Sequence, residues 1–589
     1  MRALRLPALI FAAGLLFWII NAAIVWLSAA PLGHDEAQYA LSAHDLLVGD
    51  EPRWFYVSSG MSVVAAIGET LGHGEVALRF PAFVLGIGFV LAAAGLAWRV
   101  YGAMTAAWVV VVLAGLRSIA GMSSDLLTDL PSTALLLAGS LVMIGEVLGE
   151  EEDAAPRWRV VFAAPLLAAA LYVRYASCIP IALIGVGTLV VGLPQIRRRP
   201  LPIVVTAAAF VLLLVPHLVQ ANHETGSPLG ILLASKDVPG RTWFAQGLAT
   251  YTTSNPVRYY GLLAPPILLA GLAAITRVRH RPTMLLWLIA VSDIVVLGLI
   301  SHAQPRYIFF GVTLLVILGV EQIRRWVGPR RWGAVVAAVA VLASCLLMLR
   351  TQVMRSERKR ETASAAYTAA SVIRTDAHGR RCYVIGDAFA QLEWYSGCRG
   401  SSWPWDEREE TEPVYVVHTP STLPVPTRGD PHVLLARPAV TVTRFDVPDR
   451  ATIQVAPVDE CIAGCDAARR TCNNASITCV ADCKASAALR ACVTPPYKSC
   501  MDMSMCGLRA MCGETVASGT GTCLSTATCQ AQRCSPSNAV RCGCECALTM
   551  SRVHAQALTA LDACAVDCKF DEPCIRGKCA IQVTACASQ

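Results

Sequence analysis

Eleven apolar runs, each close to the length needed to cross a lipid bilayer, dominate the first 350 residues of the chain. A membrane-spanning helix needs about 20 consecutive apolar residues. The runs cover 6–30, 80–98, 104–120, 128–147, 159–173, 176–193, 201–219, 259–276, 283–301, 307–324 and 332–349. Hydrophobic residues make up 55% of the 589 and charged residues 15%. This composition excludes an ordinary soluble globular protein and predicts a polytopic helical membrane protein whose first run is a retained span.

Basic residues gather in every second loop between the apolar runs. By the positive-inside rule these loops are cytoplasmic. Eleven spans then place the N-terminus in the cytoplasm and everything after Arg350 outside it, in a multi-pass protein of the cell (inner) membrane. Topology therefore accounts for the net charge of +7, and no nucleic-acid partner is expected. The residues concerned are Arg2, Arg5, Arg99, Arg157, Arg159, Arg197, Arg198, Arg199, Arg277, Arg279, Arg281, Arg324, Arg325, Arg330 and Arg331.

Cysteine usage independently predicts that the C-terminus is extracytoplasmic. Of 24 cysteines, four precede residue 460, namely Cys178, Cys345, Cys382 and Cys398, so 24 − 4 = 20 fall in 461–589. Such density is typical of a disulfide scaffold in an oxidising compartment. We therefore expect a disulfide-stabilised, mainly helical domain at 456–589. The run CGCEC at 542–546 could also ligate a metal, but structural disulfides fit the compartment better.

Between the spans and this tail, residues 351–455 predict a small extracytoplasmic α/β domain. The stretch RCYVIGDAFAQLEWYSGC has the pattern of a buried strand, a turn and a helix, and EPVYVVH and PHVLLA have the pattern of further strands. Cys382 and Cys398 could pair within this domain. The predicted order is thus a transmembrane domain at 1–350, the α/β domain and the cysteine-rich domain.

Candidate functional residues lie in loops that the predicted topology places on the outer side. Asp35 and Glu36 directly follow the first run. They either belong to a functional site at the membrane edge or are two acids in a solvated loop. Asp293 is unusual because it lies within a run. It either pairs with an arginine inside the bundle or lines a lipid pocket.

Five stretches add a family resemblance to this pattern. HDEAQY resembles the Asp-Glu-x-x-Tyr motif of the GT-C glycosyltransferases, and in particular their family-39 branch, which includes protein O-mannosyltransferases and lipid A aminoarabinose transferases. ALRFPAF, SSDLLTDLPSTALLLAGSL and SHAQPRYIFF are similar to three later motifs of that branch, in the same order, and LYVRYAS is similar to its mid-chain Arg-Tyr step. The resemblance covers roughly residues 6–350.

This resemblance implies transfer of a hexosyl or pentosyl group from a polyprenyl-phosphate donor to a lipid, glycan or protein acceptor. Asp35 matches the position of the family's general base, with Glu36 orienting or neutralising it and Asp129 as a second acid. Arginines would stabilise the leaving phosphate. The candidates are Arg79, Arg174, Arg306 and Arg53. Further site candidates are Tyr39, Asp125, His302 and Tyr307. No dedicated metal site is evident, and a divalent cation held by the carboxylates is left open.

The chain also departs from the family pattern. Many members carry Lys-Pro-Pro after the Asp-Glu motif, whereas this chain has EPRWFYVSSGMS, in which Arg53 could replace the lysine. The departure leaves the donor sugar and activity open. Two rival hypotheses are a non-catalytic membrane anchor that displays the cysteine-rich domain, and a transporter or flippase, for which internal repeats would be expected.

Overall fold

The computed structural model describes residues 2–50, 54, 57–72, 74–148, 158–234, 247–253, 256–300, 303–328, 331–386, 388–401, 413–418, 431–437 and 440–445. The predicted cysteine-rich domain lies outside the described residues, as do Arg53 and His302. The chain divides into two compact units. The first, here called the helical unit, comprises Met1–Gly379, Ala388–Cys398 and Arg437–Val440. The second comprises Arg380–Asp387, Arg399–Ala436 and Thr441–Gln589.

The described part of the helical unit contains eighteen α-helices and four 3-10 turns. They are α1 Arg2–Leu27, α2 His34–Val48, α3 Ser59–Leu71, α4 Glu75–Tyr101, α5 Ala103–Gly115, α6 Arg117–Gly121, α7 Asp129–Val147, α8 Ala163–Val173, α9 Cys178–Arg198, α10 Pro200–Thr225, α11 Gly230–Ala234, α12 Gly247–Thr253, α13 Pro256–Tyr260, α14 Ala264–Ala273, α15 Arg281–Gly298, α16 Phe309–Val327, α17 Arg331–Ala377 and α18 Phe389–Ser396.

The predicted multi-pass helical architecture is confirmed. Within the described residues, eight helices are long and apolar enough to cross a membrane, and four shorter apolar helices accompany them. Each of the eleven apolar runs coincides with one or more of these helices. The twelfth, α3, lies in the stretch SGMSVVAAIGETL, whose polar and glycine content made it too weak to count as a span.

Small residues allow the helices of the bundle to approach closely. A Cβ on Gly86 of α4 would lie 2.2 Å from the carbonyl oxygen of Ser123, so this glycine lets the loop before α7 rest directly on α4. Two further glycines let α14 and α16 pack closely against each other. A Cβ on Gly271 of α14 would lie 2.3 Å from Leu315 O, and a Cβ on Gly319 of α16 would lie 2.0 Å from Ile267 O. Such contacts are typical of helix packing in membranes, where close van der Waals contact replaces the hydrophobic effect.

Helix α17 continues well beyond the last apolar run. It has 47 residues, and its C-terminal part has the polar sequence RSERKRETASAAYTAASVIRTDA. The composition change near residue 350 therefore does not coincide with a break in the helix. The polar part carries Arg355 and Lys359, which contact the loop between α6 and α7.

The second unit contains a five-stranded sheet with the order β2-β1-β3-β5-β4. Strand β1 pairs in parallel with β2 and β3, and β3 pairs antiparallel with β5. The strands predicted from RCYVIGDAFAQLEWYSGC, EPVYVVH and PHVLLA are confirmed as β1, β3 and β4, whereas β2 and β5 were not anticipated. The helix predicted after β1 is also confirmed; it is α18, which belongs to the helical unit. Cys382 and Cys398 are disulfide-bonded. The strands are β1 Tyr383–Ile385, β2 Arg399–Ser401, β3 Val414–His418, β4 Pro431–Arg437 and β5 Val440–Phe445.

Candidate active site

Four sequence motifs that are far apart in the chain meet at one end of the helical unit, here called the Asp35 end. Asp35 lies in the first turn of α2, and Asp129 is the first residue of α7. Arg174 lies in the turn between α8 and α9, and Arg306 lies in the 3-10 turn Pro305–Ile308 before α16. Both aspartates thus lie in the first turn of a helix, the end toward which the unpaired backbone N–H groups point.

The two aspartates and the two arginines form one ionic cluster. Arg306 donates from Nη2 to Asp35 Oδ2 at 3.1 Å, and its Nε lies 3.8 Å from Asp129 Oδ2. Arg174 Nη1 lies 3.2 Å from Asp129 Oδ1. The side chain of Asp35 is 42% exposed, whereas that of Asp129 is 4% exposed. Asp129 is therefore enclosed by its arginines, and Asp35 is the carboxylate that an incoming molecule can reach.

Tyr307 holds both guanidinium groups of this cluster. Its ring centroid lies 4.9 Å from the guanidinium carbon of Arg174 and 5.8 Å from that of Arg306. Both distances fall within the range of cation–π attraction. Gln304 adds a 2.6 Å contact to the Arg306 Nε. The two arginines are thus presented from fixed positions, which is the arrangement that binding of a phosphate requires.

Glu36 and Arg79 form a separate, fully buried ion pair. Arg79 donates from Nε and Nη2 to the two oxygens of Glu36, each at 2.8 Å. Arg79 also donates to the carbonyl oxygens of Ala30 at 2.6 Å and Pro31 at 3.3 Å. Burial alone would raise the pKa of Glu36, but Arg79 outweighs it and holds the pKa well below its usual range. Because its donors are satisfied within the protein, Arg79 fixes the chain between α1 and α2.

Glu36 also binds the backbone on either side of the site. It accepts from the N–H of Gly33, the N-cap residue of α2, at 2.8 Å, which is half of a capping box. It accepts from the N–H of Leu126 at 3.0 Å, in the loop that leads to Asp129. One carboxylate therefore ties the loop of Asp35 to the loop of Asp129.

Asp125 is held by the polar part of α17. Its two oxygens accept from Lys359 Nζ at 2.6 Å and from Arg355 Nη2 at 3.0 Å, and its side chain is 1% exposed. Sequence reasoning missed Arg355 and Lys359. The available signal was a basic run, RSERKR, on the side of the membrane where the predicted topology expects few basic residues.

Tyr39 completes the group beside the two aspartates. Burial raises the pKa of its hydroxyl, and the nearby charges of Asp35 and Asp129 raise it further, so Tyr39 stays protonated. Burial also lowers the pKa of His34, against the opposing effect of Asp35, so His34 is neutral near pH 7.

Helix α18 clamps the segment just before α2. The hydroxyl of Tyr395 accepts from Leu32 N at 2.7 Å and lies 2.8 Å from Glu75 Oε1, to which it donates. Gln391 donates to Leu32 O at 2.7 Å. The ring of Phe389 lies edge-on to His34, with centroids 5.0 Å apart. A helix about 350 residues later in the chain therefore fixes the backbone that leads into Asp35, and no local sequence pattern indicates this contact.

The described residues around Asp35 and Asp129 do not form a preformed site for a divalent cation. Arg306 lies between the carboxylates of Asp35 and Asp129, where a cation shared by them would have to sit. Among the described residues, no three His, Cys, Asp or Glu side chains are grouped as metal ligands.

Comparison with known proteins gives matches at the level of structure. No protein-family model matches the chain, and no curated protein sequence is significantly similar to it. The crystal structure of ArnT from Cupriavidus metallidurans bound to undecaprenyl phosphate matches with a TM-score of 0.58 at 18% identity, covering 76% of this chain and 99% of that one. Its apo form matches with a TM-score of 0.56 at 17% identity, covering 75% and 98%. The chain therefore has the fold of the GT-C membrane glycosyltransferases, which the motifs implied.

Proposed function

We propose that the chain is an integral membrane glycosyltransferase that moves a sugar from a polyprenyl-phosphate donor to an acceptor outside the cytoplasm. The observation that carries this proposal is the ionic cluster, in which a reachable carboxylate, Asp35, lies beside two immobilised arginines, Arg174 and Arg306. The fold supports the lipid carrier, because the similar ArnT structure was solved with undecaprenyl phosphate bound.

The donor phosphate binds Arg174 and Arg306. Their guanidinium groups lie at the ends of apolar helices, at the depth where a phosphate joined to a membrane-embedded polyprenyl chain is found. As the bond between the sugar and the phosphate breaks, negative charge develops on the phosphate oxygen, and fixed cations stabilise that charge most at the transition state. Asp129 holds both arginines in place rather than contacting the reacting atoms.

Asp35 acts as the general base. The acceptor hydroxyl or amine attacks the anomeric carbon and passes its proton to Asp35, and polyprenyl phosphate departs with the electrons of the broken C–O bond. Attack and departure on opposite faces of the sugar invert the anomeric configuration. Arg306 pairs with Asp35 before the donor arrives, so a phosphate that engages Arg306 also frees the base.

Glu36 and Arg79 act as positioning residues. Their buried pair leaves no free donor for a phosphate and instead fixes the segment that leads into α2 and Asp35. Of the arginines that the sequence assigns to the phosphate, this proposal keeps Arg174 and Arg306 and gives Arg79 a positioning role instead.

The test uses purified protein in lipid nanodiscs with a panel of radiolabelled polyprenyl-phosphate sugars. Asp35→Asn should bind the donor that wild type binds but transfer or release its sugar about 10²- to 10⁴-fold more slowly, the usual contribution of a general base. Asp50→Asn is the matched control and should keep wild-type turnover. It alters an exposed acid just after the C-terminal end of α2. If wild type binds no donor in the panel, the proposal fails and the non-catalytic anchor becomes the better hypothesis.

A further inference from the structure

A small, partly open cavity lies next to the ionic cluster, between α7, α9, α15 and the start of α16. Its polar lining consists of Thr133, Arg174, Ser177, Asp293 and Tyr307. Its volume is about 10 Å³, which is room for one group of the size of a water molecule. Arg174 and Tyr307 belong to both the cavity and the ionic cluster, so the cavity adjoins the place assigned to the donor phosphate.

The two oxygens of Asp293 are in different situations. Oδ2 accepts from the N–H of Gly311 at 3.0 Å, in the first turn of α16, and so caps that helix from a neighbouring one. Gly311 is required for this approach, because a Cβ there would lie 2.9 Å from Oδ2. Oδ1 is buried and has no hydrogen-bond partner among the described residues. The residue itself is completely buried. One oxygen of this cavity-lining residue is therefore structural, and the other is buried without a hydrogen-bond partner among the described residues.

An unpartnered carboxylate oxygen inside an apolar helix is costly and indicates a missing partner. Arg174, the cation of the same cavity, is engaged with Asp129 at 3.2 Å. The Oγ of Ser177, also lining the cavity, is a second buried polar atom without a hydrogen-bond partner among the described residues. A group that donates to Asp293 and can also bond to a serine hydroxyl satisfies both atoms. A hydroxyl group does so, and the guanidinium of Arg174 disfavours an ammonium group at the same place.

We propose that this cavity is a subsite for one hydroxyl group of the donor sugar, and that Asp293 is a specificity-determining residue. The inference rests on the proposed function, because it requires the donor phosphate at Arg174 and Arg306. The first sugar ring then lies next to the cavity, and one ring hydroxyl enters it and donates to Asp293 Oδ1. A sugar that lacks this hydroxyl leaves two buried polar atoms unpaired, so the site discriminates against it.

The experiment combines enzyme variants with deoxy donors. The donor that wild type uses in the nanodisc assay is prepared in a series, each member lacking one ring hydroxyl, and kcat/KM is measured for wild type, Asp293→Asn and Ser177→Ala. Asp293→Asn keeps an oxygen for Gly311 and replaces the free acceptor with a donor. Thr188→Val is the matched control, because its hydroxyl is likewise buried without a hydrogen-bond partner among the described residues but does not line the cavity.

For wild type, one deoxy donor should lose about 10- to 100-fold in kcat/KM, as expected for one hydrogen bond to a charged group. With the complete donor, kcat/KM of Asp293→Asn should be lower than that of wild type by a similar factor. With that deoxy donor, kcat/KM of the variant should show no additional loss. Its affinity for undecaprenyl phosphate, which carries no sugar, should equal that of wild type and of Thr188→Val. Equal losses on every deoxy donor in wild type and Asp293→Asn would mean that the cavity holds water only, and the inference falls while the glycosyltransferase proposal stands. Absence of turnover by wild type with any donor overturns both.

Discussion

Arg306 donates to Asp35 across 3.1 Å, although the two residues are 271 positions apart in the sequence. The same guanidinium lies 3.8 Å from Asp129. One arginine is thus shared between the carboxylate that we assign as the base and the carboxylate that anchors the site. A phosphate that binds Arg306 competes with Asp35 for it, so donor binding and release of the base are coupled.

This coupling predicts the effect of replacing Arg306. Arg306→Gln should weaken undecaprenyl phosphate binding by about 10-fold or more, because one charge-assisted contact is lost. Arg306→Lys should recover only part of the affinity, since lysine lacks the planar fork that engages two phosphate oxygens. Arg279→Gln changes an exposed arginine in the loop before α15 and serves as the control. Binding of the labelled lipid to protein in nanodiscs is the measurement, and unchanged affinity in Arg306→Gln would contradict the assignment.

The buried pair of Glu36 and Arg79 predicts strong but partly compensating effects on stability. Glu36→Leu or Arg79→Met alone should lower the free energy of unfolding by about 3–5 kcal/mol, because each leaves an unpaired buried charge. The double variant should recover part of this loss, since neither charge remains; recovery is incomplete because Ala30 and Pro31 lose their donor. Thermal denaturation in detergent measures this. Losses that simply add in the double variant would disprove the pairing.

The same pair predicts a dependence of stability on acid. The folded-state pKa of Glu36 lies well below its ordinary value of 4.5, so the unfolded chain takes up the proton first as the pH falls. The stabilisation is therefore complete above about pH 4.5 and is lost progressively below it. The melting temperature of wild type should fall more steeply between about pH 5 and about pH 3.5 than that of Glu36→Gln. Asp50→Asn should keep the wild-type slope, and equal slopes in all three would refute the prediction.

The hydrogen bonds between α18 and Leu32 predict that a substitution outside the ionic cluster lowers turnover. Tyr395→Phe removes the acceptor of Leu32 N and the donor to Glu75, leaving a buried N–H unpaired at a cost of about 1–3 kcal/mol. With the segment before α2 loosened, kcat should fall about 10-fold while donor affinity stays unchanged, because the phosphate-binding arginines lie on other elements. Tyr367→Phe, whose ring touches that of Tyr395 at 5.0 Å, is the control. A matching loss in Tyr367→Phe would indicate general destabilisation instead.

The sequence predicted those features that depend on local pattern. The apolar runs indicated the helices, and short apolar stretches indicated β1, β3 and β4, because burial of one segment is visible in that segment alone. The motifs also indicated Asp35, Asp129, Arg174 and Arg306, which the structure brings together. Their common location follows from the alternation of spans, which places every second loop on the same side.

Partner choice within the site could not be predicted in this way. Arg79 and Arg306 have the same position relative to an apolar run, yet one is buried against Glu36 and the other faces the ionic cluster. The difference arises from tertiary packing, which encloses one guanidinium and leaves the other accessible. The contacts of Asp125 with Arg355 and Lys359 were missed for a related reason, since the polar sequence after residue 350 gave no sign that the same helix continues.

That continuous helix has a mechanical consequence. At 1.5 Å per residue, the 47 residues of α17 form a rod about 70 Å long, more than twice the thickness of the hydrocarbon layer. It contains no proline at which it could hinge. Arg355, Lys359 and Arg374 attach this rod to the loop of Asp125 and to α18. The polar end and the apolar part of α17 are therefore one continuous element, and a displacement of that end would act on the loop of Asp125 and on α18, the two segments that contact the backbone around Asp35 through Leu126 and Leu32.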